Sequence, residues 1–135
     1  MNNFTLADEY VTDTVGLILY LEKRKSGAIA EQIFDSAENG QTVIQIPAMV
    51  LAEILYLSEK GRISINLADV FRLLQDFPNF KEFPMSGDVI ESASQITDIP
   101  ELHDRLISAT ARLLELELIT NDPKIGDSKF IKIIW

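Results

Sequence analysis

Cysteine is absent from all 135 residues, which excludes disulfides and any zinc site built on thiolates. Histidine occurs once, so a metal held by this chain would be held by hard oxygen ligands. Cations are also scarce: 12 Lys and Arg stand against 21 Asp and Glu, a formal net charge of -9. That balance argues against gripping nucleic acid through a broad basic face. It leaves a nuclease open, because metal-binding carboxylates add negative charge that bound cations offset. No apolar run reaches the ~18 residues of a spanning helix. The start, Met1-Asn2-Asn3-Phe4-Thr5-Leu6-Ala7-Asp8-Glu9, lacks the basic opening and apolar stretch of a signal peptide. The expectation is a cytoplasmic protein with no membrane partner.

Hydrophobic residues make up 47% and charged residues 24%, the composition of a globular chain able to bury a core. One domain over residues 1–135 is expected. Short β-rich segments alternate with helical ones. Tyr10-Val11-Thr12 reads as a strand ending at Asp13, followed by a helix over Val15 to Leu21. A second helix runs from Gly27 to Ala37 and stops at Asn39-Gly40. Thr42 to Ile46 is the next strand. Pro47 suits the first turn of a helix that continues to Glu59 or Lys60 and ends at Gly61. Asn66 caps a helix over Leu67 to Phe77. Asn79 to Phe83 reads as a third strand, Ser86 as the cap of a helix over Val89 to Ile96, and Phe130 to Trp135 as the last strand. The pattern predicts an α/β fold with a largely parallel sheet.

The most informative stretch runs from His103 to Asp122. A helix of about a dozen residues opens on Asp104 and spans ~18 Å. A strand over 118–121 then runs ~16 Å back and ends on Asp122. The lengths nearly cancel, so both aspartates return to one edge of the fold. In a parallel sheet that edge also holds the end of the first strand, hence Asp13. Glu53 is the only charged residue between Pro47 and Leu57, in a helix that is apolar all round and therefore expected to be covered on most sides, by neighbouring helices or equally by a protein interface. An unpaired carboxylate there costs several kcal/mol, so Glu53 is protonated, paired, or reaching a wet pocket.

Each acid has a structural alternative. Asp13 and Asp104 are also natural helix caps, Asp122 precedes Pro123 as a turn residue would, and Glu53 suits a salt bridge. Collected on one edge, however, they point to a metal. Two carboxylates ~4 Å apart repel by about 4 kcal/mol at an effective dielectric of ~20, and a cation relieves this. Oxygen-only ligands suit Mg²⁺ or Mn²⁺. The one basic run, Lys23-Arg24-Lys25, reads first as a solvated helix end, with a phosphate-contacting patch as the alternative.

Thr12-Asp13-Thr14, Glu53 in its apolar helix, the run from Asp98 to Ala111, Ile119-Thr120-Asn121-Asp122 and the terminal Ile133-Ile134-Trp135 together resemble the PIN-domain family, and within it the VapC-like toxins of bacterial type II toxin–antitoxin systems. The resemblance spans Tyr10 to Trp135, with residues 1–9 as an N-terminal extension. It implies a three-layer α/β/α sandwich. It also implies an Mg²⁺- or Mn²⁺-dependent ribonuclease, often a homodimer, held in check by a cognate antitoxin. By matching position it makes Asp13, Asp104 and Asp122 the core metal ligands and Glu53 the fourth acid. Thr14 and Thr120 become hydroxyls that orient carboxylates or metal-bound water. His103 is expected to face solvent, Arg105 to form a structural ion pair, and Asp98 and Asp127 to be loop residues. Two rivals stand beside the nuclease. One is a catalytically silent PIN-like module that binds RNA or protein. The other is a phosphoacceptor domain, in which Glu53 and the Asp104–Asp122 pair have no place.

Overall fold

Three consecutive buried residues, Tyr10, Val11 and Thr12, mark β1 (Glu9–Thr12) as a strand covered on both faces. Such burial needs helices above and below a parallel sheet. In the computed structural model, which describes residues 5–135, β1 is the middle of five strands. The others are β2 (Val43–Pro47), β3 (Phe80–Phe83), β4 (Leu118–Ile119) and β5 (Ile133–Ile134), in the order β3-β2-β1-β4-β5. Every pairing is parallel. The helices are α1 (Thr14–Leu21), α2 (Ala28–Glu38), α3 (Ala48–Glu59), α4 (Leu67–Asp76), α5 (Gly87–Gln95), α6 (Leu102–Leu114) and α7 (Pro123–Gly126). The expected α/β/α arrangement is the one that forms.

The strand order positions the site. From β1 the chain builds outward to β2 and β3 on one side, then returns to β4 and β5 on the other. Thr12 lies opposite Ile119, and the Asp13 N–H donates to the Ile119 carbonyl at 3.1 Å. The reversal leaves a crevice at the carboxyl ends of β1 and β4, where ligands bind in open α/β sheets. Below it, Leu17, Ile33, Ile44, Ile46, Ile54 and Ile119 have no exposed surface, each worth roughly 1.5–3 kcal/mol of burial. The rings of Tyr20 and Phe34 stack at 4.6 Å, and Tyr20 lies 5.5 Å from Phe80. This stack fastens α1 and α2 to β3 and leaves the crevice free.

Several ends fall where the sequence places them. Asn66 and Asp69 form a reciprocal capping box on α4, Ser86 caps α5, and Gly61 takes a φ of +66° just past α3. Other expectations need correction. The strand expected over 118–121 stops at Ile119, because Asp122 caps a short helix of its own, α7, which the sequence reading took for a turn. Pro47 closes β2 in extended geometry and does not enter the helical turn. The last strand contracts to Ile133–Ile134. α3 is covered on its inner side and open on the other. Only Val50 and Ile54 are buried in it, while Leu55 and Tyr56 are 43% and 52% exposed. α3 packs against α1, α4 and α6, with Met49, Leu51 and Leu57 half-buried against the core, and Ala52, Leu55 and Tyr56 face outward.

Residues 1–4 of the extension lie outside the described residues. Its later part is tied down: Leu6 packs on the core and the Ala7 N–H donates to the Tyr10 hydroxyl at 2.8 Å. No helix among the described residues is long and apolar enough to cross a membrane.

Candidate active site

Asp13 follows β1 directly and caps α1, its Oδ1 accepting the Gly16 N–H at 2.7 Å. Only 7% of the residue is exposed. Burial pushes its carboxyl up to about 6, an effect that Asp122 and Glu53 reinforce by repulsion and that bonds from Thr120 and Gly16 oppose. Keeping it ionised at neutral pH costs on the order of 3 kcal/mol. Gly16 is the residue that sequence reasoning missed here. A Cβ at position 16 would lie 3.0 Å from both Asp13 Oδ1 and Thr12 Oγ1, so the carboxylate has its place because that side chain is missing.

Glu53 projects from the middle of α3. Thr14, the first residue of α1, donates its hydroxyl to Glu53 Oε1. The other oxygen, Oε2, faces His103 Nδ1 at 3.6 Å. Glu53 lines an open cleft, with the Thr14 hydroxyl as its direct partner and His103 beside it. His103 is 54% exposed at its side chain, as expected, yet it lines the cleft beside Glu53.

Asp104 stands in the first turn of α6 and does not open it. Glu101 is the cap, accepting the Asp104 N–H at 2.6 Å. Partial burial, then repulsion from Glu101, Asp122 and Glu53, push the Asp104 carboxyl up to about 6, while Lys124 pulls it down. The sequence signal for Glu101 was present, since an acid three residues before Asp104 can cap the turn that Asp104 occupies. Asp122 caps α7 through the Lys124 N–H at 2.9 Å. Its own N–H donates to the Thr120 hydroxyl at 3.2 Å. Thr120, which also bonds Asp13, therefore links the two aspartates across the crevice.

All four sequence-predicted acids thus line one cleft of about 500 Å³, with Thr14, His103 and Asn121 beside them. A larger groove of about 1120 Å³ lies at the opposite edge, beside Glu9, Glu117 and Lys132, where the strands begin. Size does not mark the site; the convergence of two raised carboxyl pKa values does. Among the described residues, no three acidic or histidine side chains gather closely enough to enclose an ion. The carboxylates share a cleft without forming a closed shell. Their chemistry nevertheless fits a hard divalent cation: the donors are carboxylate oxygens, and burial with mutual repulsion holds two of them in a state that a cation would relieve.

Two flanking residues differ from expectation or confirm it. Arg105 makes no ion pair among the described residues, and its Nε is buried without a partner. Asp98 is structural: it accepts the Ser128 hydroxyl at 2.7 Å and the Lys129 N–H at 2.8 Å, clasping two loops together.

Comparison with known proteins now decides the family. A family profile described as the PIN domain matches residues 10–130. This chain belongs to the PIN-domain family. Among solved structures, VapBC2 from Rickettsia felis, bound to a DNA fragment from its promoter, is similar with a TM-score of 0.68 and 19% identity, over 93% of this PIN chain and 97% of that one. The DNA-bound VapBC of Salmonella typhimurium gives a TM-score of 0.68 at 18% identity, covering 95% and 98% of the two chains. FitAcB from Neisseria gonorrhoeae gives 0.63 at 18%, covering 93% and 96%. At such identities these likenesses establish the PIN fold. Sequence comparison with curated proteins finds no match.

Proposed function

We propose that this PIN-domain protein is a metal-dependent ribonuclease, the toxin of a type II toxin–antitoxin pair. The observation that carries this reading is the cleft itself. Asp13, Glu53, Asp104 and Asp122 come from four separate segments to one crevice, and two of them have carboxyl pKa values near 6. Natural chains tolerate such repulsion mainly where a function uses it.

The four acids would hold Mg²⁺ or Mn²⁺, and that cation supplies charge neutralisation at phosphate and an activated water. The chain's own residues prepare the site. The Gly16 N–H and the Thr120 hydroxyl orient Asp13. Thr14 occupies one oxygen of Glu53 and so fixes how the other faces the cleft. Glu101 sets the first turn of α6 and with it the direction of Asp104. His103 stands 3.6 Å from Glu53 at the mouth of the cleft.

The toxin reading is supported by the similar toxin–antitoxin complex from Klebsiella pneumoniae, with a TM-score of 0.64 at 21% identity over 93% of this chain and 96% of that one. A cognate antitoxin and a second copy of the chain are the proposed protein partners, RNA the substrate, and the cytoplasm the location. The open spacing of the carboxylates favours one rival, a silent module that binds RNA without cutting it. Mn²⁺-dependent cleavage of RNA by antitoxin-free protein, compared with Asp13→Asn and Asp104→Asn, separates the two.

A further inference from the structure

The uncovered side of α3 carries three side chains in order. Glu53 lies in the cleft. Tyr56, three residues on, shares its face and also lines the cleft, about 4.5 Å further along the axis. Lys60, about 10 Å beyond Glu53 by the same rise, closes the helix with its Nζ 5.6 Å from the Tyr56 ring centroid. An acid, an exposed aromatic ring and a cation therefore succeed one another on a single face.

Beyond Lys60 the chain enters a loop tied to the end of α1. Glu22, at the end of α1, accepts both the N–H and the hydroxyl of Ser64, at 2.7 and 2.8 Å. These bonds fasten the loop after α1 to the loop after α3. The loops thus joined, 22–25 and 60–64, carry Lys23, Arg24, Lys25, Lys60 and Arg62. Lys23 and Arg24 stand among Glu31, Asp35 and Glu38, while Lys60 and Arg62 follow Tyr56 in the chain. Arg24 spends part of its charge on Glu22 at 3.0 Å. Lys23 is held at a φ of +57°, uncommon for a residue with a side chain.

We infer that Tyr56 and Lys60 form a subsite for single-stranded RNA. Tyr56 stacks one base beside the cleft, and Lys60 holds a phosphate of the strand leading away from it. The inference rests on the ribonuclease reading and adds where the substrate lies. An exposed ring serves any base, because every base has a π-face, so the subsite selects for an unpaired strand and not for a sequence. The cleft would meet phosphate through its cation, and Lys60 would meet the phosphate beyond it.

The test pairs binding with cleavage, using single-stranded oligoribonucleotides of three to twelve residues and the wild type, Tyr56→Ala, Tyr56→Phe and Lys60→Gln. Binding is read by fluorescence anisotropy in Ca²⁺, cleavage in Mn²⁺. Tyr56→Ala should weaken binding and raise KM for the longer strands by about 5- to 150-fold with kcat unchanged. Tyr56→Phe should restore both. Lys60→Gln should lower the slope of log Kd against log salt by about 0.7. Equal losses at every strand length, no loss with Tyr56→Ala, or no rescue by Tyr56→Phe would overturn the subsite. So would a fall in oligomer mass for Tyr56→Ala, which would make this face a protein interface. Wild type that cleaves while all variants match it refutes the subsite alone. Tyr56-dependent binding without any cleavage refutes the ribonuclease and keeps the subsite. A protein that does not bind RNA refutes both.

Discussion

The hydroxyl of Thr14 donates to Oε1 of Glu53, tying the first turn of α1 to the middle of α3. These residues are 39 positions apart in sequence. Their contact joins two of the four segments that line the acidic cleft, one directly after β1 and the other the helix that follows β2.

Removing that hydroxyl should loosen the site more than the fold. Thr14→Val keeps the shape and frees Glu53 to turn. Metal affinity should fall about 10- to 100-fold, the usual cost of losing a residue that orients a ligand. Thr14→Ser should retain it. A Mn²⁺ titration by calorimetry reads the difference, and equal affinities for the wild type and Thr14→Val would contradict the role.

Gly16 predicts the reverse of ordinary helix behaviour. Replacing a helical glycine with alanine commonly gains up to about 1 kcal/mol. Here the new Cβ presses on Asp13 Oδ1 and Thr12 Oγ1 at 3.0 Å. Gly16→Ala should therefore lower metal affinity and cleavage at least tenfold, with little or no gain in thermal stability. A plain rise in melting temperature with full activity would show that the carboxylate can move aside at no cost.

The raised carboxyls set a pH dependence. An acid whose pKa is higher in the folded chain than in the unfolded one binds more protons when folded, so its stability contribution falls as pH rises through that window. Asp13 and Asp104, both about 6 against a usual 3.8, place the window between about pH 4 and 6. Metal-free protein should be more stable at pH 5 than at pH 7, by about 1 kcal/mol from Asp13 alone. Glu22 acts the other way. Hydrogen bonds from Ser64 and Arg24 hold it down at about 2, and its contribution is lost only as pH falls below about 4.5. Saturating Mn²⁺, at roughly 100 times its Kd, should add about 2.7 kcal/mol at pH 7 and progressively less towards pH 5. Thermal melts across this range, with and without Mn²⁺, check both signs.

The C-terminus offers a fold-only control. A Cβ at position 27 would lie 2.5 Å from Trp135, so Gly27→Ala must displace the chain's one tryptophan. Destabilisation of about 1–3 kcal/mol is expected, with a red-shifted tryptophan emission. An unchanged spectrum and unchanged stability would contradict the packing.

Much of this arrangement was legible in the sequence, for identifiable reasons. Asp13 and Asp122 follow strands of a parallel sheet, and parallel topology alone sends both to the same edge. Asn66 and Ser86 announce their helices because capping chemistry is local. Three features escaped for reasons equally physical. The exposure of Tyr56 and Leu55 depends on which elements cover α3, a tertiary fact that an apolar run does not reveal. Glu101 competes with Asp104 for the start of α6, and three residues separate two plausible caps. Gly16 is informative only once the Asp13 carboxylate is known to lie against it.

The central claim is that the cleft hydrolyses RNA with a divalent cation held by its carboxylates. Its most direct test is cleavage of a single-stranded RNA by purified, antitoxin-free protein, with Mn²⁺ or EDTA, comparing wild type with Asp13→Asn and Asp104→Asn of confirmed fold. The account predicts cleavage by the wild type in Mn²⁺, none in EDTA, and a loss of at least 100-fold in each variant. Cleavage that persists in EDTA, or that either variant performs at the wild-type rate, would contradict it.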